Sequence, residues 1–529
     1  MGTTGRRRLA KAAGMAVLGL SALGASAGLA ALPPVPVPAE NPITEPKRVL
    51  GKILFWDEQL SSDNTVACGT CHRPGRGGGD PRQGRHPGAD GVMGTEDDTF
   101  GSPGVAHMDK AGVAREHKVF GMKPQVGDRT APSNFGNIWS DTMFWDGRAG
   151  PTVVDPETGK TVIKAGGALE NQVLGPLQNP AEMAKDSRGW ADVDQKLRLA
   201  RPLALATRIP ADMAAALKAH PRYPELFQAA FGDPRIDAVR VAEAIAAYER
   251  TLVPDQTPYD LGTQAGKPID PEIQRGLLLL DTAHCTVCHK PPLFTDNRFH
   301  NIGLRRPFQD RGRGKVSGDP ADDGRFKTPT LRNVGLRASF MHTGEFTDLH
   351  KVLDHYVTPK AEAEPLPGTD QPYKTTIEDN QRQDIIDFLT TDLTDPRVAA
   401  EQFPFDRPIL RSERQAGQAT PGRPEDFRAR MDGGVVRLTW NAPKGGAADY
   451  VLVRDGQVIG LPTQPGFEDD GQSPWLLHRY RLVARNDAAA SSAAVSAGAG
   501  LPSLELAGGA VLLLLGVGGV WTWRRKRAV

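Results

Sequence analysis

The chain has 529 residues, enough for three or four domains. Its 64 Lys+Arg are balanced by 63 Asp+Glu, so no net field argues for nucleic acid, and no basic-aromatic pattern tracks a phosphate backbone. Gly (58) and Pro (44) are abundant and aromatics make up 6%, which predicts long loops and a core needing apolar surface from elsewhere.

Residues 1–31 read as a signal peptide: Arg6, Arg7, Arg8 and Lys11 precede an apolar and small-residue run from Ala12 to Ala31, with Ala25-Ser26-Ala27 as a cleavage site. The run also approaches the length of an uncleaved anchor. Either reading places the body outside the cytoplasm. Residues 32–46 are Pro-rich and read as a linker. A short helix carrying Leu50, Leu54 and Phe55 follows, and then Cys68-Gly-Thr-Cys-His72.

This C-x-x-C-H form recurs as Cys285-Thr-Val-Cys-His289, and the two copies use all four cysteines. Thiols at this spacing can each add across a haem vinyl group, and the adjacent histidine then reaches the iron. A redox pair or a zinc cage would leave both histidines unexplained. The motifs therefore predict two covalently bound c-type haems, with Cys68, Cys71 and His72 at one and Cys285, Cys288 and His289 at the other. The haems would supply the missing apolar surface.

Between the copies, Asp90 to Asp98 is acidic enough to suggest a cation loop but lacks the EF-hand pattern, and is read as a solvated loop. Residues 190–251 read as helical. Asp237 to Leu252 gives the clearest pattern, with Asp237 as cap and Val241, Ala244, Ile245 and Tyr248 on one face. Pro254 to Pro268 marks a boundary. Helices are predicted over Ile273 to Leu280, leading to the second motif, and over Glu378 to Leu393.

Beyond a linker at 413–424 the pattern changes to strand alternation in Val435–Trp440, Tyr450–Val453 and Tyr480–Ala484. This resembles a fibronectin type III sandwich over 425–498, with Trp440 and Tyr480 in its core. Leu506 to Trp523 is an apolar run of 18 residues, about 27 Å as helix, followed by Arg524, Arg525, Lys526 and Arg527. Residues 504–523 are read as a transmembrane helix or removable sorting helix, and 524–529 as a basic cytoplasmic tail. The expected fold is mainly α: two cytochrome c-like haem domains (47–262 and 263–412), then a small all-β sandwich and a C-terminal transmembrane helix.

From Leu50 to Leu393 the chain resembles the bacterial di-haem cytochrome c peroxidase family, which includes the MauG-type enzymes. The resemblance rests on the two C-x-x-C-H motifs, Arg129-Thr-Ala-Pro-Ser133, Phe144-Trp-Asp-Gly-Arg-Ala149, Gln172 to Met183, and Thr328-Pro-Thr-Leu-Arg-Asn333, in family order. It implies reduction of hydrogen peroxide at the His72 haem by electrons from a periplasmic donor, a cytochrome c or cupredoxin. Gln172 and Glu182 take the positions that line the family's peroxide pocket. Trp145 takes the position between the haems. Tyr356 matches the distal ligand of the second haem, with Met341 and His355 as competitors. A methionine there is usual in the peroxidases and a tyrosine in MauG, so Tyr356 also implies MauG-like oxidation of a protein or organic substrate. A di-haem electron carrier or peroxide sensor is the non-enzymatic alternative.

Reductively activated members carry a distal histidine at a position that falls near Met122 here. No histidine occupies it, and His117 is nearest, so the first haem is expected to be open unless the loop register lets His117 serve. The family also binds calcium between its haem domains, through an asparagine side chain, two carbonyls and waters. The matching positions are Thr130 and the carbonyls of Arg337 and Ser339. A threonine hydroxyl is a shorter and poorer ligand, which leaves calcium open. The resemblance further implies a homodimer, and the C-terminal helix would tether the body to the periplasmic face of the inner membrane.

Overall fold

The computed structural model describes residues 31–499, apart from 264–268, 307–308, 366–374, 415–421, 444–446, 448, 456, 461, 474–475 and 486–494. Val49, Leu50, Ile53 and Leu54 fall at helical spacing in α1 (Glu45–Phe55), and all four are buried. One helical turn, α2 (Cys68–Cys71), follows. The first haem domain is completed by α3 (Ala168–Val173), α4 (Trp190–Leu199), α5 (Ala211–Ala219), α6 (Tyr223–Phe231) and α7 (Ala238–Glu249). The cap of α7 is the expected one: the Asp237 carboxylate accepts from the Arg240 N–H at 2.9 Å. Its predicted stripe of Val241, Ala244, Ile245 and Tyr248 is buried.

Helices α1 and α7 meet backbone to backbone at Gly51, where an added Cβ would lie 1.8 Å from the Ala244 carbonyl oxygen. Just beyond α1, Trp56 donates from Nε1 to the Tyr248 hydroxyl at 3.2 Å. Its ring in turn occupies the space beside Gly69, whose added Cβ would lie 2.3 Å from it. The α1–α7 pair is thus the floor on which α2 and its cysteines rest.

The Gly-rich stretch after His72 forms short ladders. Strand β1 (Gly84–His86) pairs with β2 (Thr99–Gly101), and β3 (Pro103–Ala106) with β4 (Pro124–Val126), both antiparallel. In the acidic loop Asp97 accepts from the Ala89 and Asp90 amides at 2.6 and 2.9 Å, so its carboxylate caps its own backbone. Another hairpin joins β5 (Val153–Val154) to β6 (Thr161–Ile163).

The second haem domain carries α8 (Pro258–Gly262), α9 (Pro271–Thr282), α10 (Arg313–Ser317), α11 (Leu349–Val357) and α12 (Asp379–Asp387), the last continuing as a π-helical turn over Phe388–Asp392. Strands β7 (Phe299–His300) and β8 (Phe326–Lys327) pair beside them. Ile273, Leu280, Ile385, Phe388 and Leu389 share one core.

Three segments depart from the boundaries read in the sequence, the first being α8, which lies within 47–262 but packs Tyr259 in the second core. Residues 32–46 are strapped to the first haem domain: the Pro36 carbonyl accepts from Arg250 at 3.0 Å, and the Asn41 side chain donates to the buried Glu170 at 2.7 Å. Val398, Phe405 and Leu410 follow the second core in sequence but are buried in the first.

The sandwich has strands β9 (Glu425–Asp432), β10 (Val435–Asn441), β11 (Asp449–Arg454), β12 (Gln457–Gly460), β13 (Phe467–Asp469), β14 (His478–Arg485) and β15 (Val495–Ala499). They form antiparallel sheets in the orders β13-β10-β9 and β12-β11-β14-β15. Val436, Leu438, Trp440 and Tyr480 face the core between them, as the alternation requires.

The mainly-α expectation is corrected to a mixed fold, with 31% helix and 17% strand. Glycine and proline divide the haem domains into short helices and two-stranded ladders, and the sandwich adds strand. The transmembrane helix is corrected as well. Among the described residues no helix is long and apolar enough to cross a membrane. An apolar run fixes hydropathy only, whereas a span needs a continuous helix. The assigned segment 504–523, the basic tail 524–529 and residues 1–30 of the signal peptide lie outside the described residues.

Gly51→Ala should destabilise the protein by about 2–3 kcal/mol, the range of a forced core overpacking. Gly150→Ala, where an added Cβ meets nothing within 4 Å, should be close to neutral. Thermal unfolding of the two variants checks this, and equal melting temperatures would disprove the close crossing.

Candidate active site

The first C-x-x-C-H lies in a cavity of about 400 Å³. The single turn of α2 sets Cys68 and Cys71 three residues apart on one side, and both line the cavity. Its start is capped by the Ala67 N–H donating to the Thr70 hydroxyl at 2.8 Å. His72 Nδ1 lies 3.1 Å from the Gly78 carbonyl oxygen. A carbonyl only accepts, so Nδ1 carries the proton and Nε2 keeps its lone pair. Burial lowers the His72 pKa, which favours this neutral form.

The second motif repeats the arrangement on the 3₁₀ turn Cys285–Val287, where His289 Nδ1 lies 3.1 Å from the Phe294 carbonyl. Cys285, Cys288 and His289 line a tighter cavity of about 120 Å³. None of the four cysteines is in a disulfide, and the pairs occupy separate cavities, so they do not build one four-cysteine zinc cage. Burial pushes the Cys68 and Cys285 thiols up to about 12, unlike a redox-active pair. Beside the second cavity, Arg337 Nη1 is buried without a partner, a donor left over for an acidic group of a ligand. Paired thiols, a histidine with free Nε2 and a cavity fit a haem at each motif, and at the second Arg337 adds a cation.

The first cavity is also lined by Gln172 on α3 and by Glu182. Asn179 Nδ2 donates to Glu182 Oε1 at 2.7 Å, and the Val105 amide of β3 bonds the Glu182 carbonyl at 3.1 Å. Burial raises the Glu182 pKa, opposed by the Arg148 charge and the Asn179 hydrogen bond. Two further lining residues escaped the sequence reading. Glu249 is buried at the end of α7, and burial pushes it up to about 7. Its signal was present: Glu249 continues the stripe Val241–Ile245, a carboxylate where an apolar residue is due. His86, on β1, also lines this cavity, and its sequence surroundings carry no comparable sign.

Trp145 lines both cavities and a third, smaller one of about 60 Å³ beside the second. It is 8% exposed, and its Nε1 donates to the Thr130 carbonyl at 2.9 Å. Arg129 clamps the following residue, pairing at 2.7 Å with both Asp146 and Asp310. Asp146 also pairs with Arg148 at 3.0 Å, the turn pair its motif suggests. His342, not singled out by sequence, packs its ring 6.3 Å from that of Trp145 and stacks on Phe326 at 3.5 Å. Burial lowers the His342 pKa to about 3, so it is neutral.

Tyr356, on α11, lines the second and third cavities, and so does Met341. His355 points elsewhere, its Nε2 bonded to the Ile302 carbonyl at 3.0 Å. His117 does not line the first cavity. Its Nδ1 accepts from the Val119 and Phe120 amides within its own loop, and Met122 is exposed.

The calcium donors do not fit a cation. Thr130 Oγ1 donates to the Met341 carbonyl at 3.0 Å, and the Ser339 carbonyl accepts from Arg337 Nε at 3.3 Å. The same guanidinium donates from Nη2 to the Ala131 carbonyl at 3.1 Å.

Comparison with known proteins agrees with this geometry. The family profile of di-haem cytochrome c peroxidases matches residues 45–267. Methylamine utilization protein MauG of Methylorubrum extorquens is 31% identical over 378 residues, covering 70% of this chain and 85% of the relative. MauG of Paracoccus denitrificans is 30% identical and covers 66% and 84%. Cytochrome c551 peroxidase of Nitrosomonas europaea is 27% identical and covers 64% and 81%. With two paired-cysteine cavities joined by one tryptophan, and relatives matched over most of their length, this chain belongs to the di-haem cytochrome c peroxidase family and is a haem peroxidase.

Proposed function

We propose that this di-haem peroxidase reduces hydrogen peroxide to water at the His72 cavity. Electrons enter at the His289 cavity from an exported donor, a cytochrome c or cupredoxin. One observation carries the reading: Trp145 lines both cavities, whereas Glu182 and Gln172 line only the first. Cys68, Cys71 and His72 would hold one haem and Cys285, Cys288 and His289 the other, and the haems would supply redox-active iron.

The protein supplies the proton path and the electron path. Glu182 takes a proton from one peroxide oxygen and returns it to the leaving oxygen. Its raised pKa brings the two halves of that exchange closer in energy at neutral pH. Asn179 holds Oε1, so the carboxylate keeps one orientation toward the cavity. Gln172 offers an amide to orient peroxide. Trp145 relays electrons between the cavities, its ring fixed by the bond to Thr130. His117 stays within its loop, which supports turnover without a preliminary reduction. The basic and apolar N-terminal run supports export, to the compartment where c-type haem is attached.

A second reading, MauG-like oxidation of a protein or organic substrate, is favoured by Tyr356 in the second cavity. A tyrosinate donor favours oxidised iron, whereas methionine raises the potential. Tyr356→Met should then raise the reduction potential of the second haem in a redox titration, and an unchanged potential removes this reading.

Glu182→Gln should lower peroxide turnover with reduced cytochrome c by at least about 100-fold, with haem content unchanged. Wild-type rate should fall as pH drops through the raised Glu182 pKa, because the protonated acid can no longer accept a proton. The glutamine variant should lack that acid limb. Wild-type turnover in Glu182→Gln would overturn the assignment.

Trp145→Phe should slow cytochrome c oxidation while leaving rapid peroxide binding intact. Stopped-flow traces of the two steps check this, and equal slowing of both would argue for a packing role.

A further inference from the structure

We infer that the Arg337 guanidinium occupies the cation position between the two haem domains, so that an internal charge holds this junction and no calcium binds there. Two stretches would have to share such an ion: 130–131 of the first haem domain and 337–339 of the second. Arg337 already joins them. It follows the 3₁₀ turn Val334–Leu336, and its side chain folds back over its own segment. Nε donates to the Ser339 carbonyl at 3.3 Å, and Nη2 crosses to the Ala131 carbonyl at 3.1 Å.

The other donor is equally engaged. Thr130 gives its hydroxyl proton to the Met341 carbonyl at 3.0 Å and its amide proton to the His342 carbonyl at 2.9 Å. Its own carbonyl accepts from Trp145. A calcium ion bound to the Ser339 carbonyl at about 2.4 Å would sit within about 6 Å of the guanidinium, and the like charges exclude one another. Among the described residues no carboxylate lies within ion-pair distance of Arg337, and the carboxylate charge that acts on it is that of Asp80. Burial brings the Arg337 pKa down to about 10, which still leaves it charged at neutral pH.

The test uses full-length, haem-loaded protein. Calcium is counted by elemental analysis after dialysis against EGTA and again after dialysis against about 1 mM calcium, weaker than the sensor range of calcium sites. The haem absorption spectrum and melting temperature are followed in both. Wild type should hold well under one calcium per chain, with neither readout moving. One calcium per chain, or a spectrum or melting temperature lost in EGTA and regained with calcium, overturns the inference. Arg337→Lys keeps a cation and should remain indifferent to calcium. Arg337→Ser deletes it and should melt several degrees lower in EGTA. A serine variant as stable as wild type would overturn the bridging role. If the serine variant fails to fold, wild type and Arg337→Lys still decide the calcium question.

Discussion

The hydrogen bond from Trp145 Nε1 to the Thr130 carbonyl fixes the residue that lines both cavities. Thr130 also binds Met341 and His342 of the second haem domain through its hydroxyl and amide. The Lys327 amide bonds the Trp145 carbonyl from the other side at 2.8 Å. One residue therefore fixes the indole between the cavities and ties the two haem domains at the same point. The Trp145–Thr130 bond is buried, so it replaces hydration that the site has lost, and leaving it unmade would be costly. The tryptophan has little freedom to leave the wall it shares.

Much of the site was readable in the sequence because its chemistry is local. Cys68, Cys71 and His72 are consecutive enough for one helical turn to set their geometry, and the cap at Asp237 lies three residues from the amide it satisfies. What could not be read depends on pairings between distant parts of the chain. Asn41 meets Glu170, and Phe405 enters the first core, across separations that no periodicity encodes. His86 reaches the cavity because a β-ladder turns it there, in a stretch whose composition says only loop. Arg337 was named for its carbonyl, while its side chain bonds the Ser339 and Ala131 carbonyls, and side-chain direction at a turn is set by the partner it finds. The mainly-α expectation failed for a related reason: two-residue ladders leave almost no alternation to detect.

The two cavities began as equivalent motifs, and their walls make them different. The first holds Glu182 and Glu249, two carboxylates whose pKa values burial raises, with Gln172 beside them. The second offers Tyr356 and Met341 among Leu, Val, Ile and Phe side chains, and among the described residues no carboxylate lines it. Proton exchange needs groups that can change charge near the working pH. Electron exchange needs an apolar surround and a fixed distance. Both cavities use the same histidine device, a backbone carbonyl holding Nδ1–H, so the attachment side does not distinguish them. Under the proposed function, the opposite walls carry the difference between the two sites. Trp145 is the one wall they share, which makes its position, rather than either motif alone, the feature that turns two haem sites into one catalyst.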